Sequence, residues 1–341
     1  MEYKLKVLSK VKIKKLMLKH YKFIAILCFI AISFPKEANA WGFWGHMRIN
    51  RQAIFSLPPE IIGFYKTNIE YITEHAVDPD KRRYAIDGEA PRHFIDLDHF
   101  CVHPCADFPR KWNDAVDTYS EDTLQAYGIV PWHIEVMLRR LTRAFNEKNV
   151  QGILKNSTEI GHYISDSHVP LHTTVNYNGQ LTNQKGIHGF WESRLPELFH
   201  EDYDFFVGKA EYIPNTLDFI WDNILNAHSQ VEDVLSFEKE LDKTFPSDQK
   251  YSYETRNELT IRTYSREYSA AYHDMMKGMV EEQMRQSMKH TADLWYTCWV
   301  NAGKPNLDDV KEEKVIINEE EIKEGKVKSR EHAKTGNDIF D

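Results

Sequence analysis

The strongest constraint on this chain is a pair of histidine–carboxylate spacings, His162-x3-Asp166 and His188-x3-Glu192. Four residues is one helical turn, so each pair sets its two side chains on one face of a helix. Alone, such a pair is an ordinary surface contact. Here the two pairs stand among further metal-binding residue types: His46 in Trp41-Gly-Phe-Trp-Gly-His46, then Asp78, His93 and His172. Imidazole and carboxylate without thiolate suit Zn²⁺ with open coordination positions. The remaining histidines, among them His75, His99, His103, His133, His168 and His200, have no partner at ligand spacing. Of these, His99 and His168 lie near enough in sequence to support the ligands from behind.

The first 40 residues are set aside from the fold. They carry nine lysines and two glutamates around an apolar run, Phe23 to Phe34, followed by Pro35 and the small-residue stretch Ala38-Asn-Ala40. A basic start, a short apolar stretch and an A-x-A site read as a secretory signal. The alternative is a retained anchor, but a dozen residues fall short of the roughly 20 that span a bilayer. Cleavage after Ala40 would make Trp41 the first residue, free its α-amino group, and place the protein outside the cytoplasm, periplasmic or secreted.

Removing that segment takes the chain from −9 to −16. So acidic a chain lacks the basic surface with which duplex-binding proteins grip phosphate. An anionic substrate must be attracted locally. Three divalent ions would bring +6 against −3 from Asp78, Asp166 and Glu192, a positive pocket in a negative protein.

Helical periodicity dominates the rest, and the predicted fold is all-α, a multi-helical domain over 41–305. A helix is expected from about His46 to Ser56, ending at Pro58-Pro59, where another begins. Ile134, Met137, Leu138, Leu141, Ala144 and Phe145 form a helical stripe after Pro131, and a further helix covers about Val150 to Ser167. Asn215 reads as an N-cap for a helix reaching about His228, and two long helical stretches span about Tyr253 to Ala302. Residues 78–130 and the Asn/Gly-rich 173–187 read as irregular. The charged, aromatic-poor 306–341 reads as a disordered tail.

Export permits disulfides. Cys101-Val-His-Pro-Cys105 can close a small loop, stay as two thiols, or join His103 as a metal site; Cys298, in an apolar stretch, reads as a buried thiol.

Taken together, the Trp41 start, the Asp78-to-His93 separation and His162-x3-Asp166-x5-His172 resemble the zinc-dependent phospholipase C and single-strand nuclease superfamily (the S-one/P-one nuclease type) over residues 41 to about 300. The resemblance implies an all-α domain with three zinc ions. Asp78, His93, His162 and Asp166 would hold one. The amino nitrogen and carbonyl of Trp41, with His46 and Asp166, would hold a second, making Asp166 a bridge; His172, His188 and Glu192 would hold the third. Asp80 rivals Asp78, but the spacing to His93 favours Asp78. Asp78 and Asp166 are then the catalytic carboxylates, serving a metal pair that can ionise a shared water for attack on phosphorus.

The resemblance leaves the ester open. His93-Phe-Ile-Asp96 is similar to a nuclease segment in which the aromatic stacks on a base and the aspartate bonds its edge, so Phe94 and Asp96 become candidate substrate contacts. Arg82 and Arg83 are candidates for phosphate. Trp191 and Ser193-Arg-Leu-Pro196 look nuclease-like, whereas Glu192 in place of aspartate looks phospholipase-like. The expected activity is a single-strand-preferring nuclease or 3′-nucleotidase, with single-stranded nucleic acid as partner. The alternatives are a phospholipase C acting on lipid head groups and a non-catalytic exported zinc-binding protein.

Overall fold

The computed structural model describes residues 42–308 except Tyr84, Asn257, Glu258 and the side chain of Arg256. The expected signal segment, Trp41 and the tail beyond 308 lie outside the described residues. Helices make up most of the described chain. In order they are α1 (Gly42–Ala53), α2 (Pro59–Thr67), α3 (Ile69–Glu74), α4 (Asp78–Arg82), α5 (Leu97–Phe100), α6 (Trp112–Tyr119), α7 (Glu121–Tyr127), α8 (Val130–Asn146) and α9 (Val150–Asp166). There follow α10 (Ile187–Gly189), a π-helical turn at Phe190–Arg194, α11 (Leu195–Phe199), α12 (Thr216–His228), α13 (Val231–Thr244), α14 (Arg266–Met275) and α15 (Met279–Asn301). The all-α expectation describes this architecture, apart from one hairpin. Among the described residues no helix is long and apolar enough to cross a membrane.

Local chemistry accounts for most boundaries. Pro59 sits at the first position of α2, where its missing N–H is not needed. Asn149 caps α9 by accepting from the Gly152 amide at 2.9 Å, and Asn215 caps α12 by accepting from Asp218 at 3.2 Å.

Helices α8, α9 and α15 pack against one another around the main core, and α1 packs on α9 and α15. The stripe read from the sequence, Ile134 through Phe145, is buried along α8 and meets Ile153, Leu154, Ile160 and Ile164 of α9. Trp295 of α15 stacks on Tyr65 at 4.9 Å and donates to the Ser157 carbonyl at 2.9 Å, which fixes α15 against α9. Gly161 lets α9 approach α1 closely, since a Cβ there would overlap the Asn50 side-chain oxygen. That contact lies one residue before His162. Leu307 is buried in the same core, beyond the boundary drawn at 305.

The helix expected from Tyr253 is not there. Tyr251–Arg256 and Leu259–Tyr264 form an antiparallel hairpin pairing Tyr251 with Tyr264 and Glu254 with Ile261. Its base is tied to a second cluster. Phe190 stacks on Tyr264 at 3.8 Å and on Tyr272 at 4.9 Å, and Arg194 bonds both Glu254 oxygens and the Tyr264 carbonyl. The hairpin thus braces the π-helical turn that carries Glu192.

Candidate metal centre

Three structural segments converge with α1 and α9. His162 and Asp166 lie one turn apart on α9 and are fully buried. His46 comes from α1, and its ring stacks on His162 at 3.9 Å. Asp80 comes from the one-turn helix α4, His93 from the end of a 3₁₀ turn (Ala90–His93), and His172 from the turn after α9.

Asp166 is the centre of the arrangement. One of its oxygens lies 2.9 Å from His93 Nδ1 and 3.3 Å from His162 Nε2. The other lies 3.5 Å from His46 Nε2 and 3.9 Å from His172 Nδ1. Asp80 faces the same space, 3.7 Å from His162 Nε2, 3.8 Å from His93 Nδ1 and 3.9 Å from His46 Nε2. A neighbouring group forms from His172, His188 and Glu192, with Glu192 Oε2 at 3.4 Å and 3.0 Å from the two Nε2 atoms. Potential ligand atoms within His46–Asp80–His162, within His93–His162–Asp166 and within His172–His188–Glu192 lie within 4.8 Å of one another.

The rings are held from behind. His162 Nδ1 donates to the Ala76 carbonyl at 2.9 Å and His172 Nδ1 to the His93 carbonyl at 2.7 Å, while His46 Nδ1 meets Ser165 Oγ at 2.7 Å. A carbonyl only accepts, so the first two contacts place the proton on Nδ1 and leave Nε2 as a ligand. Several inward atoms lack hydrogen bonds: His46 Nε2, both Asp80 oxygens, Asp166 Oδ1 and His172 Nε2 are buried without a hydrogen-bond partner. Buried polar atoms are normally satisfied. So many orphans on converging N and O donors fit divalent metal ions.

The electrostatics agree. Burial draws the His46 imidazole well below its ordinary value, with His162 adding to the effect. Burial likewise raises the Asp80 carboxyl. Burial opposes the charged forms of His162 and Asp166 too, but their mutual attraction prevails. His162 is pushed up to about 9, helped by Asp80, and Asp166 is held well below the carboxylate range, helped by His172.

Several expected site residues fall elsewhere. Asp78 is not in the cluster: its carboxylate is bonded to His75 Nδ1 at 2.6 Å and Lys81 Nζ at 2.9 Å, and it is 25% exposed against 1% for Asp80. Residues two apart on a helix point about 200° apart, so one alone could turn inward. Of the two carboxylates, it is Asp80 that faces His46, His93 and His162. Arg82 is not available to substrate either; it is engaged with Glu89 at 3.1 Å, Glu159 at 2.8 Å and the Tyr163 hydroxyl at 3.1 Å. Arg83 is partly exposed, and its charge bears on both Asp80 and His188.

Phe94 is half-buried, and its carbonyl accepts from Val130 at 3.2 Å beside Gly128, where a Cβ would overlap it. Asp96 is partly buried, and burial with the neighbouring Asp98 pushes it up to about 8. Asp98 itself bonds Thr174 Oγ1 at 2.6 Å and the Val175 amide at 2.9 Å, anchoring the 173–187 loop beside His172. Cys101 and Cys105 are joined, with Sγ atoms 2.08 Å apart, so they do not form a thiolate site with His103. Cys298 is a buried thiol, pushed up to about 12 by burial. His99 stacks on Tyr127 at 3.3 Å, and His168 bonds Ile164 O and His290; neither contact supports a ligand. Sequence reasoning missed Glu89, fully buried beside His93. Its four-residue spacing from His93 was the available signal.

No family model matches the chain, and no curated protein matches it. Among solved structures the chain is similar to that of Clostridium perfringens alpha-toxin from avian strain SWCP, at 13% identity and a TM-score of 0.45, over 80% of this chain and 67% of that one.

Proposed function

We propose that this chain is an exported zinc-dependent phosphodiesterase, acting on phospholipid head groups. The observation that supports it is Asp166, whose two oxygens face different histidines while the His172–His188–Glu192 group stands beside them. His46, Asp80, His93, His162 and Asp166 would hold a metal pair, with Trp41 joining if it is the mature terminus; His172, His188 and Glu192 would hold a third ion. Bound zinc supplies Lewis-acid charge for phosphoryl oxygens and activation of water near neutral pH. Asp166 positions the pair. Asp80, buried and without a hydrogen bond on either oxygen, would offer its second oxygen to the proton of the attacking water. Arg83 adds positive field at Asp80 and His188.

Two features favour lipid. Glu192 is the acid of the third group, and the adjoining loop presents apolar side chains. Tyr177 packs 5.9 Å from His188 while 44% exposed, and Leu181 is 65% exposed. The nucleic-acid reading rests on Phe94, Asp96 and the Trp191 and Ser193–Pro196 segment, where Trp191 is buried and Arg194 is bonded to Glu254, and Arg82 is engaged behind the site. The zinc-loaded protein should release phosphorylated head groups from phosphatidylcholine vesicles, faster than nucleotides from single-stranded DNA, RNA or 3′-mononucleotides. Nucleotide turnover without lipid turnover would reverse the substrate assignment, and inactivity on all four would overturn the enzyme reading.

A further inference from the structure

His93 is held differently from its neighbours. Its Nδ1 faces the cluster, 2.9 Å from Asp166 and 3.1 Å from His162 Nε2. Its outer nitrogen, Nε2, is buried without a hydrogen bond, and the charged group it faces is the Glu89 carboxylate at 3.7 Å. The outer nitrogens of His46, His162 and His172 all meet uncharged oxygens.

Glu89 is fully buried, one turn before His93, at the start of the 3₁₀ turn. Burying a carboxylate is costly unless its lone pairs are occupied. Here Arg92 Nη1 donates to Oε2 at 2.7 Å, Arg82 Nε lies 3.1 Å from the same oxygen, and the Tyr163 hydroxyl donates to Oε1. Tyr163 follows His162 on α9, and its ring packs on both His93 and His162 at 5.3 Å and 5.5 Å. The network therefore joins α4, the 3₁₀ turn and α9 directly behind two candidate ligands.

Building on the metal-centre reading, we propose that Glu89 is a positioning residue for His93. It keeps the His93 proton on Nε2 and its Nδ1 lone pair aimed at the metal pair, while Arg82, Arg92 and Tyr163 hold Glu89 in place. A carboxylate behind a ligating imidazole fixes the tautomer and raises the basicity of the inward nitrogen. The role explains why Arg82 is spent behind the site instead of facing substrate.

The test uses the full processed chain, wild type and two variants, Glu89→Gln and Tyr163→Phe. The second removes one donor to Glu89 but keeps the ring. Zinc affinity is read by competition with a chromophoric chelator, and the His93 tautomer by ¹⁵N chemical shifts in metal-free and zinc-loaded protein. Glu89→Gln should weaken binding at the Asp166 pair roughly 10–100-fold and leave the His172–His188–Glu192 ion unchanged. It should also lose the Nε2–H signature of His93. Tyr163→Phe should shift both readouts the same way, by less. Wild-type affinity and an unchanged tautomer in either variant that folds would overturn the proposal, as would an Nδ1–H tautomer in the metal-free wild type. A wild type that takes up no zinc yet shows the Nε2–H tautomer, lost in Glu89→Gln, would overturn the metal-centre reading and leave the positioning by Glu89 standing.

Discussion

At the scale of single residues, the choice between Asp78 and Asp80 decides the chemistry. Both lie in Asp78-Pro-Asp80, and the separation to His93 pointed to Asp78, whereas the structure turns Asp80 toward His93 and His162. Spacing counts residues; it does not show that one turn of helix begins at Asp78 and rotates Asp80 inward. Asp80→Asn should lower hydrolysis roughly 10²-fold or more, since a ligand and proton acceptor are lost. Asp78→Asn, which breaks partly exposed contacts, should change it less than about threefold. The opposite ranking in kcat would restore Asp78. Asp96 carries a second test. Its carboxyl is pushed up to about 8, against about 3.9 in an unfolded chain. The folded form therefore keeps a proton that the unfolded form releases, and its contribution is complete below about pH 4 and lost as pH rises through about 8. Asp96→Asn should leave stability at pH 4 nearly unchanged and raise it by about 1–3 kcal/mol at pH 9, measured by denaturant titration. A gain that is equal at both pH values would refute that assignment.

Elements differ in how much of them the sequence showed. Helix α9 was legible almost to the residue, because Asn149, an apolar stripe and Pro170 mark its limits. Its close crossing with α1 was not, since nothing local announces that Gly161 faces Asn50. Gly161→Ala should cost about 1–3 kcal/mol by overpacking and weaken metal binding, because the displaced turn carries His162. Unaltered melting and zinc content would show that the two helices can part freely. The hairpin at 251–264 was read as helix. Its alternation, Tyr251-Ser-Tyr253 and Thr260-Ile-Arg262, is short and polar, and it is held by Arg194 and Phe190, which lie far away in sequence. Tertiary contacts of this kind override local pattern.

For the whole molecule, the proposed metal centre ties folding to metal. Asp80, His46 and Asp166 bring α4, α1 and α9 together with buried donors that no hydrogen bond satisfies. Chelation should lower the melting temperature by several degrees, and added zinc should restore it. Trp41, which lies outside the described residues, extends the same argument. If its amine and carbonyl complete the pair, a chain beginning at Ala40 or at an added methionine should lose one zinc and most activity. Full zinc content in that extended protein would remove Trp41 from the centre. The most direct test of the central claim is a zinc-edge anomalous difference map of the folded protein. It should show two peaks beside Asp166, among His46, Asp80, His93 and His162, and a third at His172, His188 and Glu192. A map without density at Asp166, or with a peak held by Asp78, would contradict it.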